Sequence, residues 1–66
     1  MYYEHIIYHE ENTLAKIYLN RPNKLNAYTP DMGDEIIHAF RHANINADIS
    51  SIAFLGKGQS FCAGAD

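Results

Sequence analysis

Cysteine is almost absent from this sequence, and its scarcity excludes several kinds of site. Cys62 is the only cysteine among 66 residues, so an internal disulfide is excluded, as is a zinc site built on paired cysteines. The beginning of the chain lacks the basic segment and long apolar run of a signal peptide, and it lacks the Arg/Ser bias of a transit peptide. We therefore expect a cytoplasmic protein in a reducing compartment.

Positive charge is also scarce. Five Lys and Arg residues, scattered along the chain, face eight Asp and Glu residues, which gives a net charge of -3. Nucleic acid is not an expected partner, because it is bound by clustered basic residues. Apolar runs are too short to cross a membrane, so we expect no membrane partner. The 47% hydrophobic content is that of a globular chain, although a domain of this size buries only about 60% of its unfolded surface.

The first third of the chain has the pattern of a β-hairpin. Residues 3–10 are β-branched, aromatic or polar, and residues 13–20 alternate between apolar and polar side chains. Glu11 and Asn12 supply a turn between these two strands. The apolar face of the second strand consists of Ala15, Ile17 and Leu19. Pro22 ends this strand, because proline has no N–H to donate to the ladder.

An amphipathic helix is predicted after the hairpin. Thr29 is a suitable N-cap, and Pro30 suits the first helical position. The predicted apolar stripe consists of Met32, Ile36, Ala39, Phe40 and Ala43. The opposite, polar face consists of Asp34, Glu35, His38, Arg41 and His42. The helix should end within residues 44–48.

A third strand and a glycine-containing loop complete the chain. Residues 52–55 form a continuous apolar run, which is typical of a strand covered on both faces. The predicted order is therefore β-β-α-β, with a right-handed crossover. The loop at 56–66 follows this strand at its carboxyl end, where open α/β architectures place ligands. Glycines at 56 and 58 allow close backbone approach to a ligand, but they also form ordinary turns.

Four segments resemble one known family. They read IYLNRP at 17–22, KLNA at 24–27, LGKG at 55–58 and FCAGAD at 61–66. In this order they resemble the N-terminal motifs of the enoyl-CoA hydratase/isomerase (crotonase) family. The resemblance implies an α/β fold in which residues 1–66 are the incomplete, N-terminal β-β-α-β part of a ClpP/crotonase spiral, within an acyl-CoA-binding domain. We expect a truncated chain whose full-length form is a homotrimer or homohexamer.

The resemblance also implies the residues of a site. The substrate would be an acyl-CoA thioester, whose carbonyl oxygen accepts from the backbone N–H of Ala65 in an oxyanion hole. The second donor in the family is a glycine N–H beyond Asp66, so the fragment alone should be inactive. The implied substrate-binding residues are Lys24, Leu25, Ala27, Ala63, Gly64, Ala65 and Asp66. Lys24 would face the phosphates of coenzyme A, or else be a solvated loop lysine. No metal and no cofactor separate from the substrate are implied.

Other polar residues have simpler interpretations. Asn26 is expected to hold its loop through side-chain-to-backbone hydrogen bonds, and Asp66 to cap the next helix rather than act as an acid. Cys62 has no adjacent base and is expected to be buried rather than nucleophilic. His38 and His42 lie one helical turn apart, but without a third metal ligand they indicate a solvated face.

The reaction type is not encoded in this stretch. In the family, the acidic residues that separate hydratases from isomerases lie in segments absent here. We expect enoyl-CoA hydration, a lyase reaction of fatty acid metabolism, because it is the commonest outcome in the family. The alternatives are enoyl-CoA isomerisation or another crotonase-type reaction, and a non-catalytic assembly module of the same fold.

Overall fold

A three-stranded sheet and one long helix make up the computed structural model, which describes residues 2–64. The elements are β1 (Ile6–Glu11), β2 (Leu14–Leu19), a 3₁₀ turn (Pro22–Lys24), α1 (Pro30–Ile45) and β3 (Ser51–Gly56). The strand order is β1-β2-β3, with β1 antiparallel and β3 parallel to β2. This confirms the predicted β-β-α-β order. Within residues 2–64 no helix is long and apolar enough to cross a membrane.

The hairpin turn lies one residue later than predicted. Glu11 still pairs with Leu14, and the two turn residues are Asn12 and Thr13. Asn12 has a φ of 55°, in the left-handed region that asparagine tolerates better than most residues. This local conformation fixes the register of β1 on β2.

The core lies between the sheet and α1. Ala15, Ile17 and Leu19 are all buried, which confirms the predicted apolar face of β2. Met32 and Ile6 complete its centre. Full burial of a side chain such as Ile17 contributes roughly 1.5–3 kcal/mol, so this face holds the helix on the sheet.

The start of α1 follows the prediction. Thr29 has an extended backbone, and its Oγ1 accepts a 3.2 Å hydrogen bond from the Met32 N–H. Pro30 occupies the first helical position, where its missing N–H has no intrahelical partner to lose. The helix therefore begins where the sequence places it.

Two residues of α1 lie on the side opposite to the one predicted. Phe40 is 44% exposed and Glu35 only 7% exposed. The Glu35 carboxylate accepts hydrogen bonds from the backbone N–H groups of Glu4 (2.9 Å) and His5 (2.8 Å). These N–H groups precede β1 and have no strand partner, so a buried carboxylate is more favourable there than an apolar side chain.

Replacing Glu35 tests the contribution of its two hydrogen bonds to the segment before β1. Glu35→Ala should lower the free energy of unfolding by about 1–3 kcal/mol, because two backbone N–H groups lose their acceptor. The matched control is Asp34→Ala, since Asp34 is exposed at the preceding position of the same helix and should change stability by no more than about 0.5 kcal/mol. Urea unfolding followed by circular dichroism measures both. An equal decrease in the free energy of unfolding in the two variants would contradict a stabilising role for the Glu35 hydrogen bonds.

β3 is less covered than predicted. Phe54 and Leu55 are 43% and 37% exposed, although the sequence pattern indicated a strand buried on both faces. The reason is the position of α1, which packs chiefly on β1 and β2. β3 lies at the edge of the sheet, so its apolar side chains remain accessible within residues 2–64.

Candidate functional site

Two loops meet at one end of the sheet. Because β2 and β3 are parallel, their carboxyl ends lie side by side, with Leu19 opposite Gly56. The Lys57 N–H donates to the Leu19 carbonyl at 2.9 Å and extends this pairing by one residue. The loop after β2, residues 20–28, and the loop after β3, residues 57–64, therefore start as neighbours.

Asn26 joins these loops through its side chain. It is fully buried, and its Oδ1 accepts from the Arg21 N–H at 2.8 Å. Its Nδ2 donates to the carbonyl oxygens of Lys57 (2.8 Å) and Ser60 (2.7 Å). The predicted side-chain-to-backbone role is confirmed, and the bonds extend to the second loop as well as the first.

The loop after β2 is folded tightly on itself. Leu25 and Asn26 have φ values of 52° and 56°, so two consecutive residues adopt the left-handed conformation. The Asn26 N–H donates to the Arg21 carbonyl at 2.8 Å, and Arg21 Nη1 donates to the Ala27 carbonyl. The residue pattern does not indicate this role for Arg21, apart from its position before Pro22 in the IYLNRP segment.

Backbone hydrogen bonds bring the predicted substrate-binding residues together. The Ala63 N–H donates to the Leu25 carbonyl at 3.0 Å, and the Tyr28 N–H donates to the Gly64 carbonyl at 2.7 Å. The side chains of Lys24 and Leu25 are exposed beside this junction, as is Ala63. Of the predicted site residues, Ala65 and Asp66 lie outside the described residues, so the oxyanion donor and the helix cap stay predictions.

Two glycines shape the second loop. At Gly56, an added Cβ would lie 2.6 Å from the Phe61 Cα and 2.7 Å from the Ser60 carbonyl oxygen, closer than real Cβ contacts. Gly64 has a φ of 109°, which side-chain-bearing residues rarely adopt. The loop thus folds back over Gly56 and leaves at Gly64 in a direction that depends on glycine.

Cys62 lies in the second loop, where its Sγ is 3.8 Å from the Gly64 carbonyl oxygen, whereas the candidate histidines lie outside the junction. Cys62 is half-buried and packs against the core, so it is less covered than expected. His38 and His42 are exposed on α1, and each ring also contacts a tyrosine edge to face: Tyr3 with His38 and Tyr8 with His42. No group of three metal-binding side chains occurs within the described part of the chain.

A titratable cluster lies at the opposite end of the sheet. Tyr8 donates a 2.7 Å hydrogen bond to Glu10, and burial together with this carboxylate raises the pKa of Tyr8 to about 12. Hydrogen bonds from Tyr8 and Asn46 lower the pKa of Glu10, and His42 nearby adds to the effect. These contacts link β1 to the end of α1, away from the two loops, and we assign them a structural role.

The family comparison decides the identity of the chain. A model of the enoyl-CoA hydratase/isomerase family matches residues 9–66. The chain belongs to this family. The match contains both loops of the junction, and the segments that carry the resemblance overlap these loops.

Solved structures of the family have the same fold over this stretch. An enoyl-CoA hydratase/isomerase from Mycobacterium paratuberculosis is 36% identical, with a TM-score of 0.94 over 97% of this chain. An enoyl-CoA hydratase subunit I from Geobacillus kaustophilus HTA426 is 34% identical over 97% of this chain, with a TM-score of 0.95. A probable enoyl-CoA hydratase from Mycobacterium thermoresistibile is 37% identical over 94% of this chain, with a TM-score of 0.90.

This family member spans about a quarter of those proteins, since each match covers 25% of the other chain. Its β-β-α-β unit matches the N-terminal part of their crotonase fold. The predicted fold class and family are both confirmed. Several large apolar side chains of β3 and α1 are exposed in the described part of the chain.

Proposed function

We propose that this chain works as the N-terminal part of a longer acyl-CoA enzyme that stabilises a thioester enolate, with hydration of a 2-enoyl-CoA as its reaction. The observation that carries the proposal is the junction of the two loops. In a member of this family, that junction holds together the segments expected to contact coenzyme A. We use the term full-length polypeptide for residues 1–66 followed by the rest of the family fold.

The proposed roles follow the resemblance residue by residue. The backbone N–H of Ala65 donates to the thioester carbonyl oxygen, and a glycine N–H beyond Asp66 supplies the second donor. Lys24 faces the phosphates of coenzyme A as a flexible point charge. Contacts to the rest of the coenzyme come from Leu25, Ala27, Ala63, Gly64 and Asp66. The bonds from Ala63 to Leu25 and from Tyr28 to Gly64 support this grouping.

The chemistry needs negative charge to be stabilised on one oxygen. Water adds through its oxygen to the β carbon of the enoyl group, and the π electrons move towards the thioester carbonyl, which becomes an enolate oxyanion. The water loses one proton as its oxygen bonds to the β carbon, and one proton is delivered to the α carbon, so the sum is addition of OH and H across the double bond. Backbone donors aimed at the oxyanion are worth about 3–4 kcal/mol each in comparable sites. No cofactor beyond the coenzyme A of the substrate is needed.

An absorbance assay separates the candidate reactions. With a 2-enoyl-CoA as substrate, hydration removes the conjugated chromophore. The ultraviolet absorbance of the substrate should therefore fall when the full-length polypeptide is added. With a 3-enoyl-CoA, isomerisation would create the chromophore, and the absorbance would rise instead. We expect the fall, and no turnover by the 66-residue chain alone, which carries one donor of two. No change with either substrate would contradict both of these reactions and leave another crotonase-type reaction or the assembly module as the alternatives.

Assembly and location complete the proposal. A homotrimer or a pair of trimers is the expected state of the full-length polypeptide, and sedimentation measures it. A cytoplasmic location stays a prediction that rests on the sequence.

A further inference from the structure

We propose that Asn26 is a positioning residue that sets the spacing between the two loops of the acyl-CoA site, and thereby places the oxyanion donor. The inference rests on the function proposed above, because it concerns the same site. Asn26 is not expected to touch the substrate, since it is fully buried. It would act through the backbone groups that it holds.

The carboxamide of Asn26 is fully used. Its Oδ1 accepts from the Arg21 N–H, and both hydrogens of Nδ2 have a carbonyl acceptor, one on Lys57 and one on Ser60. An N–H faces the oxygen and two carbonyls face the nitrogen, so the orientation of the amide is chemically consistent. The side chain therefore links the two loops through three hydrogen bonds.

Two features make asparagine the fitting residue. The backbone at Asn26 is left-handed, with a φ of 56°, and asparagine adopts this conformation more readily than most residues. The site also needs one acceptor and two donors on a short side chain. Aspartate has the same shape, but its carboxylate would face two carbonyl oxygens, and glutamine adds a methylene that a fully buried site does not accommodate without strain.

The path from Asn26 to the proposed donor is short. Asn26 fixes the carbonyls of Lys57 and Ser60, and the chain then passes through Cys62 to the bonds that Ala63 and Gly64 make with the first loop. Ala65 follows directly. A shift of the second loop relative to the first would therefore move the donor relative to the bound coenzyme A.

The test uses Asn26→Asp in the full-length polypeptide. Well below its unfolding midpoint, kcat for a 2-enoyl-CoA should fall about 10- to 100-fold, which is the effect of misplacing reacting groups by about 1 Å. KM should change by a smaller factor than kcat, because coenzyme A is bound through several groups in the ground state, whereas the oxyanion is stabilised by two donors in the transition state. The control is Asn23→Ala, since Asn23 is exposed in the same loop and should leave both constants unchanged.

The pH profile separates positioning from a merely structural role. Burial and the two facing carbonyls should raise the pKa of the introduced aspartate, and its protonated form can donate one hydrogen bond again. The ratio of variant to wild-type kcat should therefore rise as pH falls. A kcat of the folded variant equal to that of the wild type, or a ratio independent of pH, would overturn the proposal.

Hydrogen exchange gives a readout that does not depend on activity. Asn26→Gly keeps the left-handed backbone without burying a charge, so it should fold even if the aspartate variant does not. In the Asn26→Gly variant, the N–H groups of Ala63 and Tyr28 should exchange at least about 10-fold faster than in the wild type, while the N–H groups that pair β1 with β2 keep their protection. Unchanged exchange at both would refute the coupling. A wild type without turnover would instead refute the proposed function, and exchange alone would then decide the role of Asn26.

Discussion

Ala65→Pro should reduce the turnover of the full-length polypeptide by about 100- to 1000-fold, the cost of removing one oxyanion donor. Proline has no N–H, so the proposed hydrogen bond to the thioester oxygen cannot form. Ala65→Ser keeps the N–H and adds one small hydroxyl, so its turnover should stay within about 10-fold of the wild type. The measurement is kcat with a 2-enoyl-CoA for both variants.

The control for this pair must separate lost chemistry from a distorted loop. Proline also restricts the residue before it, and Gly64 holds Tyr28 through its carbonyl. Circular dichroism and coenzyme A affinity should therefore be measured for both variants. A folded Ala65→Pro variant with near-normal affinity and near-normal turnover would show that Ala65 is not the donor.

Gly56→Ala should have the largest effect on stability, with a loss of about 3 kcal/mol in the free energy of unfolding, the upper end for overpacked sites. The added Cβ would lie within 2.6–2.8 Å of backbone atoms of Ser60 and Phe61. Backbone in a loop fixed by Asn26 cannot move aside as the end of a side chain can. The displaced segment leads to Ala63 and Gly64, so turnover of the full-length polypeptide should fall as well.

Gly33→Ala is the matched control for Gly56→Ala. Its added Cβ meets the hydroxyl end of Tyr28, and this side chain is 44% exposed, so it can rotate away. Alanine also favours the helix over glycine by about 1 kcal/mol. Gly33→Ala should therefore be neutral or stabilising in urea unfolding. Similar losses in the two variants would contradict a rigid contact at Gly56.

Local patterns predicted most of the elements because they depend on neighbours in sequence. The alternation along β2 selected its buried face correctly, and the Thr29–Pro30 pair placed the start of α1. The side of α1 on which Glu35 and Phe40 lie was predicted wrongly. Periodicity reports only the apolar character of the side chains. Glu35 is buried because it accepts hydrogen bonds from the N–H groups of Glu4 and His5, which lie about thirty residues away in the sequence.

For the site, residue patterns alone predicted the family, the two loops and the hydrogen bonds from Asn26 to backbone groups. That Asn26 binds both loops, and that Leu25 and Tyr28 pair with Ala63 and Gly64, is visible only in the folded chain. The physical reason is that these hydrogen bonds join backbone groups, which every residue carries, so no side-chain pattern identifies the partners. The parallel pairing of β2 with β3 brings the loops to the same end of the sheet, and that pairing depends on the crossover through α1.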